Sequence, residues 1–276
     1  MRKEAVRFLH IPKTAGSTFT DILKRQFINR KYFEFTGNLD KDINNFNKLS
    51  PAQKADIALF IGHAPLTTKI PEADNALLFT FLREPVSRVK SFCQHVAEGK
   101  SPYLLELFPP QKFDLDYFLA SGNTELANLQ TKMLAGQYAN DVCQDLNSLS
   151  KRELMNLALK NLFEKIDAYG ITEFFDESII WFAHKYNWRI PFYFRRNTRS
   201  PRKKIIFDKR HIKKIIELNQ IDIEVYKIAR SEFVNKINSN QFPRKYLSFF
   251  KCTNPIVGHI LRNIHIAIKI TKKLLG

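Results

Sequence analysis

The sequence predicts an α/β fold, a three-layer sandwich in which helices cover both faces of a central, mostly parallel sheet. Short β-prone runs alternate with helical stretches along the chain, which is the pattern of this class. The run Ala76–Leu82 is continuously apolar, as expected for a strand buried on both faces of a parallel sheet. Neither an internal repeat nor a Gly/Ser-rich linker divides the sequence, so we predict one domain over 1–245, followed by a helical tail over 246–276.

The first predicted strand leads through a tight loop into a helix. Ala5–Ile11 is short and β-prone and ends at Pro12, and Ser17–Phe27 carries apolar residues on one helical face. Small residues connect the two. A strand, a loop and a helix in this order form a P-loop-like half of a βαβ unit.

Apolar periodicity predicts the remaining elements. The other predicted strands are Ile57–Ile61, Ala76–Leu82, Ala168–Ile171 and an edge at Phe192–Phe194. The other predicted helices are Val86–Val96, Leu115–Ala120, Glu125–Leu134, Lys151–Glu164, Glu177–Tyr186 and His211–Val234.

The chain is strongly basic. Its 276 residues include 44 Lys and Arg against 27 Asp and Glu, a formal net charge of +17, which attracts phosphates, sulfates, anionic glycans, nucleic acid or anionic lipid without choosing among them. A hydrophobic content of 44% with 24 Phe excludes a disordered chain. The three cysteines lack metal-ligand spacing and are interpreted as ordinary thiols, Cys93, Cys143 and Cys252. With no signal-peptide pattern and no apolar run of membrane-spanning length, the expected location is the cytoplasm.

The loop IPKTAGST, residues 11–18, has the composition of an anion site. Its small residues let backbone N–H groups converge, and the helix N-terminus adds partial positive charge. Lys13 supplies a full charge, and Ser17 and Thr18 supply hydroxyl donors. Because the lysine precedes the glycine, this is not a Walker motif. The alternative is an ordinary turn capped by Ser17 or Thr18.

A second basic segment, REPVSRVKS, begins at the end of the Ala76–Leu82 strand. Arg83 follows that strand, at the sheet edge where α/β proteins bind ligands. Arg88 and Ser91 lie three residues apart, on one face of the predicted helix, and a guanidinium can bind two phosphate oxygens together. The alternative is a helix that starts at Pro85, with arginines that are solvated or paired with Glu84. The two segments together would suit a nucleotide with anions at its 5′ and 3′ positions.

With these two motifs, the chain resembles the sulfotransferases that use 3′-phosphoadenosine-5′-phosphosulfate (PAPS), particularly the branch with heparan-sulfate 2-O- and carbohydrate sulfotransferases and their bacterial relatives. IPKTAGST is similar to that family's 5′-phosphosulfate loop, and REPVSRVKS to its 3′-phosphate motif. Further similarity occurs at FIGH (60–63), NLQTKMLAG (128–136), YGITEFF (169–175) and Leu218–Ala229.

The resemblance implies a role for each matching residue. Lys13 would contact the transferring sulfuryl group, and Thr14, Ala15, Gly16, Ser17 and Thr18 would bind the 5′-phosphate. Arg83 and Ser91 would hold the 3′-phosphate, with Arg88 at an arginine position that is either binding or structural. His63 would be the general base for an acceptor hydroxyl, expected to belong to a carbohydrate, with His10 and His95 as competitors. No metal is expected.

Two basic segments remain outside these motifs. Arg195–Lys204 is interpreted either as a solvated charge run or as a flap over an anion, with Arg196 as a candidate nucleotide contact. The tail from Pro255 to Leu275 is either a basic amphipathic helix on an anionic membrane surface, which would place the protein peripherally at the inner membrane, or a helix that packs on its own domain or on a second copy. The sequence does not predict the oligomeric state.

Two other functions use the same features. A P-loop nucleotide kinase also binds phosphate after a first strand, but its loop would need a second glycine and a lysine after it. A non-enzymatic nucleic-acid binder would use the positive charge, but the basic residues are dispersed and no binding motif is recognised. Nucleic acid is therefore not an expected partner.

Overall fold

The computed structural model describes residues 4–137, 148–194 and 204–275. Its centre is a five-stranded, all-parallel sheet in the order β2-β3-β1-β4-β5. The strands are β1 Val6–Leu9, β2 Lys31–Phe35, β3 Ile57–Gly62, β4 Leu77–Leu82 and β5 Ala168–Ile171. The α-helices are α1 Gly16–Gln26, α2 Leu39–Asn47, α3 Pro51–Ala55, α4 Pro85–Ala97, α5 Leu115–Ala120, α6 Leu129–Ala135, α7 Lys151–Lys160, α8 Phe175–Lys185, α9 Lys209–Leu218, α10 Gln220–Asn238 and α11 Arg244–Leu275.

Helices cover both faces of the sheet. On one face, α1, α8 and the start of α11 pack their aromatic side chains against Phe79 and Phe81 of β4. On the other face, α6, α7 and α10 pack against Leu9 and Leu82. The α/β three-layer sandwich predicted from the sequence is thereby confirmed. The sequence could predict it because strands that are buried on both faces are continuously apolar.

Two predicted helices are each divided by an asparagine. Glu125–Leu134 breaks at Asn128, which has a φ of 49°, and His211–Val234 breaks at Asn219, between α9 and α10. The side chain of Asn219 accepts from the Asn128 backbone N–H at 3.1 Å, while the Asn128 side chain accepts from the amides of Ile221 and Asp222. The breaks therefore arise from reciprocal capping between segments that are distant in the sequence.

The structure corrects the sequence analysis at two further places. Phe192–Phe194 is not a strand; the Tyr193 amide instead donates to the side chain of Asn254 on α11, at 2.9 Å. β2, α2 and α3 lie in a region to which the sequence assigned no element. β2 was missed because Lys31 and Glu34 interrupt its apolar pattern and most of the strand is exposed.

The tail is helical, and α11 begins at Arg244, close to the predicted boundary. Phe250, near its start, is fully buried in the core below α8. None of the helices in the described ranges is long and apolar enough to cross a membrane.

Candidate active site

Three of the loops at the carboxyl edge of the sheet form one site. β1, β3 and β4 end at Leu9, Gly62 and Leu82, so His10, His63 and Arg83 each follow a strand directly. The His10 amide donates to the Gly62 carbonyl at 2.8 Å, and the rings of His10 and His63 stack with their centroids 4.6 Å apart. This is the edge where parallel α/β sheets bind ligands.

The loop before α1 has a strained backbone. Lys13 and Ala15 have φ values of 70° and 67°, in the left-handed region that side chains with a Cβ rarely adopt. The hydroxyl of buried Thr14 donates to the Ile11 carbonyl at 2.8 Å, which fixes the turn from inside. Such strain persists only where the surroundings enforce it, as at ligand sites.

The N-terminus of α1 has no side-chain cap, because its N-cap is Ala15. The alternative interpretation, an ordinary turn capped by Ser17 or Thr18, is therefore wrong. Ser17 is exposed and Thr18 is buried. Gly16 is required for space, since a Cβ there would lie 1.9 Å from the His10 ring. The start of α1 therefore places the positive end of the helix dipole at the loop, and no acidic residue in the first turn neutralises it.

Lys13 lies in a largely buried cluster of charges. Burial, with the positive charges of Arg83 and Lys100, lowers the pKa of Lys13 to about 8. The carboxylates of Glu98 and Glu125 oppose that shift. Lys13 is therefore still mostly protonated at neutral pH, but its charge is poorly solvated, which suits it to bind an anion.

His63 is oriented as a base. Its Nδ1 lies 2.7 Å from the His10 carbonyl oxygen, and because a carbonyl only accepts, Nδ1 carries the hydrogen and Nε2 the lone pair. Burial lowers the pKa of His63, although the bond to His10 partly offsets the effect. Gly62 positions this residue: at its φ of 123° a Cβ would lie 2.0 Å from the Phe35 oxygen.

The competing histidines lie close to the same site. Burial, His63 and Lys13 together lower the pKa of His10 far below its ordinary value. His95, on α4, has its pKa lowered to about 4 by burial and by Lys13. Both rings are neutral at pH 7, and the structure places neither in the position of His63 at the end of β3.

Arg83 joins the two predicted anion-binding segments. Its Nη1 donates to the Lys13 carbonyl at 3.0 Å. Its own backbone is fixed by Gln130, whose side-chain oxygen accepts from the Arg83 amide at 2.9 Å and whose nitrogen donates to the Arg83 carbonyl at 2.8 Å. Glu84 does not compete for this arginine through a hydrogen bond, since its carboxylate caps α4 by accepting from the amides of Val86 and Ser87.

A groove of about 560 Å³ opens beside Arg83. Ser91 lies on the same wall, one α4 turn beyond Ser87. Lys90 adds a positive charge that the sequence analysis did not assign to the site, and Lys204 adds one from the end of the basic segment that was interpreted either as a solvated charge run or as a flap over an anion. The complete lining is Arg83, Ser87, Lys90, Ser91, Gln94, Lys204, Ile205, Ile206 and Phe207. Arg83 and Ser91 therefore line one basic groove, and Arg83 connects that groove to the Lys13 loop by its hydrogen bond.

Arg88 lies away from this groove. It is fully buried, and its Nη2 donates to the Glu125 carbonyl at 2.7 Å. Since it does not line the groove, it supports the site from the core. Arg196 and most of the predicted basic loop lie outside the described residues, as does Cys143.

Glu125 is a functional candidate that sequence reasoning missed. It is 5% exposed, its carboxylate accepts from the hydroxyl of Tyr103, and its charge acts on Lys13, His63 and Arg88. The ring of Tyr103 is 59% exposed. A single acidic residue in a polar stretch carries no signal in the sequence.

Within the described residues, no group of three His, Cys, Asp or Glu side chains has the arrangement of a metal site.

The fold and the site together define an α/β protein with a basic groove and a histidine pair at the carboxyl edge of a parallel sheet. No protein-family model matches the chain. The chain is 26% identical, over 289 residues, to a protein named heparan-sulfate 6-O-sulfotransferase 2 from Danio rerio, and the alignment covers 88% of this chain and 60% of that relative. The chain thus spans less than two thirds of the relative's length. This distant similarity supports a sulfotransferase family, but it does not support the 2-O branch or the bacterial type named by the sequence resemblance.

Proposed function

We propose that this protein is a PAPS-dependent sulfotransferase that transfers a sulfuryl group to a carbohydrate hydroxyl. The observation that carries the proposal is the bond from Arg83 to the Lys13 carbonyl, because it makes one site of two basic segments. PAPS has anions at its 5′ and 3′ positions and would occupy both. The similarity to a sulfotransferase supports the same conclusion independently of the geometry.

The donor would lie along the sheet edge. The start of α1 and the Lys13–Thr18 loop would bind the 5′-phosphosulfate through backbone N–H groups and the exposed Ser17 hydroxyl. Arg83 and Ser91 would hold the 3′-phosphate, with Lys90 and Lys204 adding charge in the same groove. Arg88 would have a structural role in the core, since its bond to the Glu125 carbonyl joins α4 to the segment that carries Glu125.

In the transfer step, the acceptor oxygen forms a bond to sulfur as the bond from sulfur to the bridging phosphate oxygen breaks. His63 Nε2 would take the proton of the acceptor hydroxyl. Lys13 would stabilise the charge that develops on the bridging oxygen. The products are the sulfated acceptor, 3′,5′-bisphosphoadenosine and a proton held on His63, which returns to solvent.

The acceptor is proposed to be an anionic glycan. The named relative acts on heparan sulfate by its printed name, and a formal net charge of +17 favours the approach of an anionic polymer. Tyr103 offers an exposed ring with its hydroxyl anchored on Glu125, which is the kind of rigid aromatic surface on which sugar rings pack. The position that is sulfated is left to experiment.

The test is transfer from radiolabelled PAPS to a panel of desulfated and partly sulfated glycans, with Lys13→Ala as the matched control. We expect label in at least one glycan with the wild type and at least about 100-fold slower labelling with the variant. If the folded protein labels no glycan but phosphorylates a nucleoside from ATP, the kinase alternative holds. If it does neither and binds DNA or RNA instead, the protein is a nucleic-acid binder.

A further inference from the structure

The long C-terminal helix α11 is only partly used by the domain. Its inner face packs through buried Phe250, through Asn254, which accepts from the Tyr193 amide at 2.9 Å, and through Gly258, where a Cβ would lie 2.5 Å from the Tyr193 oxygen. The last such contact is the ring pair of Phe194 and His265, with centroids 5.3 Å apart. These positions are spaced by four, four and seven residues, which puts them on one side of the helix.

A second side of α11 carries large apolar residues that nothing in the described structure covers. They are 51–68% exposed and are Phe249, Ile256, Ile260 and Ile264. Their spacing of seven, four and four residues puts them on one face, distinct from the face that packs on the domain. After His265, every residue whose burial is described is exposed, including Ile266, Ile268 and Ile270. The distal end of the helix therefore projects beyond the core.

The charge of α11 is one-sided. From Arg244 to the last residue the sequence has seven Lys and Arg and no Asp or Glu. Four of these basic positions, Lys251, Arg262, Lys269 and Lys273, are spaced by eleven, seven and four residues, so their Cα positions fall on one line of the helix. That line lies on the side of the helix away from the exposed isoleucines.

We propose that the outer face of α11 docks the protein onto an anionic phospholipid surface. A helix with an apolar face, a basic polar face and no acidic residue lies in the headgroup region, with its apolar side chains buried about 5–10 Å into the boundary of the acyl chains. The basic line, on the opposite side of the helix, then lies among the headgroups and their phosphates. Because the inner face of α11 is packed on the domain by Phe250 and Gly258, the enzyme is held directly at the surface.

Lipid is favoured over a second copy of the chain by charge. Two copies that meet through the exposed isoleucines would leave the seven Lys and Arg of each helix without an acidic residue on the other helix to attract them, so charge would not favour that contact. Within the chain, Lys251 is paired with Glu177 of α8. An anionic surface is complementary to the same charges. The proposal does not depend on the sulfotransferase activity, because the face lies on the helix and not at the carboxyl edge of the sheet.

The experiment is flotation of the full chain with vesicles of phosphatidylcholine, alone or mixed with phosphatidylglycerol. We expect flotation only with the anionic vesicles, and release on adding salt. The triple variant Ile256→Ser, Ile260→Ser and Ile264→Ser should lower vesicle binding by at least about tenfold, since it removes most of the apolar contact.

A matched triple variant, Ile28→Ser, Leu107→Ser and Ile228→Ser, removes exposed apolar residues from three sites outside α11 and should float like the wild type. Light scattering of both variants and the wild type follows the oligomeric state. The proposal is overturned if the wild type does not float, or if the α11 triple floats as well as the control. A change from dimer to monomer in the α11 triple without any vesicle binding would show that the face joins two copies.

Discussion

The guanidinium of Arg83 donates a hydrogen bond to the carbonyl oxygen of Lys13 across 3.0 Å. The two residues come from different strand ends, β4 and β1, and each belongs to a basic segment that is ambiguous by itself. The bond holds the Lys13 loop in its left-handed conformation and places the groove of Ser91 next to it. Donor binding and transfer are therefore expected to respond to changes on either side of this contact.

Replacing Lys13 by Ala should lower the transfer rate by about 10²–10³-fold, because a preorganised charge at the developing oxyanion is lost. The fold should be retained, since Ala experiences the same left-handed backbone as Lys at this position. The measurement is turnover of PAPS, with the thermal midpoint as the folding control. A folded variant with near-normal turnover would remove Lys13 from the transfer centre.

Replacing His63 by Asn should lower turnover by about 10²–10⁴-fold through loss of the general base. The Asn amide can still donate to the His10 carbonyl, so the loop geometry and the affinity for 3′,5′-bisphosphoadenosine should be kept.

Since burial lowers the pKa of His63, the neutral, basic ring persists below the ordinary value of 6.5. Wild-type activity should accordingly decline only as the pH falls below about that value, and the variant's residual activity should lack this decline. The matched control is His95→Asn, and a loss there equal to that of His63→Asn would assign the base elsewhere.

Replacing Arg83 by Ala should weaken the binding of 3′,5′-bisphosphoadenosine by about 1.5–3 kcal/mol, the range for hydrogen bonds to charged groups. Binding of 5′-AMP should weaken less, because it lacks the 3′-phosphate. Calorimetry with both nucleotides measures the difference, and Ser91→Ala, which removes one neutral donor, should show a smaller loss of the same kind. Equal losses for the two nucleotides would mean that Arg83 acts only on the Lys13 loop.

Replacing Glu125 by Gln should shift the alkaline limb of the rate profile to lower pH. The Glu125 carboxylate raises the pKa of Lys13, which lies at about 8, so its loss lowers that pKa and deprotonates Lys13 earlier as the pH rises. The other charged groups that act on Lys13 include Arg83, Lys100 and Glu98, and none of them changes. Glu177→Gln, on α8, is the control. An unshifted alkaline limb, with the variant folded, would contradict this role.

Replacing Arg88 by Met should destabilise the protein by about 3 kcal/mol, because the buried bond to the Glu125 carbonyl is lost and the nearby Asp222 and Glu125 lose a compensating charge. Denaturant unfolding measures this cost. The folded fraction should bind 3′,5′-bisphosphoadenosine with unchanged affinity. Loss of affinity at unchanged stability would instead place Arg88 at the nucleotide.

The sequence predicts most of the sheet, since β3, β4 and β5 are apolar on both faces and can be recognised from their own residues, without knowledge of the neighbouring strands. It does not predict β2, where Lys31 and Glu34 interrupt the apolar pattern at an edge. The helix breaks at Asn128 and Asn219 also escape it, because their helical periodicity is continuous and the caps that end the helices come from the tertiary fold.

The candidate site divides in the same way. Lys13, His63 and Arg83 follow strand ends, and Ser91 lies on the helix after β4, so a sequence that reveals the strands and that helix also reveals them. Glu125 belongs to a 3₁₀ turn whose approach to Lys13 depends on Arg88 packing in the core, and no local pattern carries that information.

The Lys13 loop and the Arg83 groove are proposed to form one site for a bisphosphorylated nucleotide. The direct test is calorimetry of the wild-type protein with 3′,5′-bisphosphoadenosine, 3′-AMP, 5′-AMP and ATP. We expect the bisphosphate to bind at least about tenfold more tightly than either monophosphate, because charge-assisted hydrogen bonds form to both its 5′- and its 3′-phosphate. Equal affinities for the three nucleotides, or tighter binding of ATP, would contradict it.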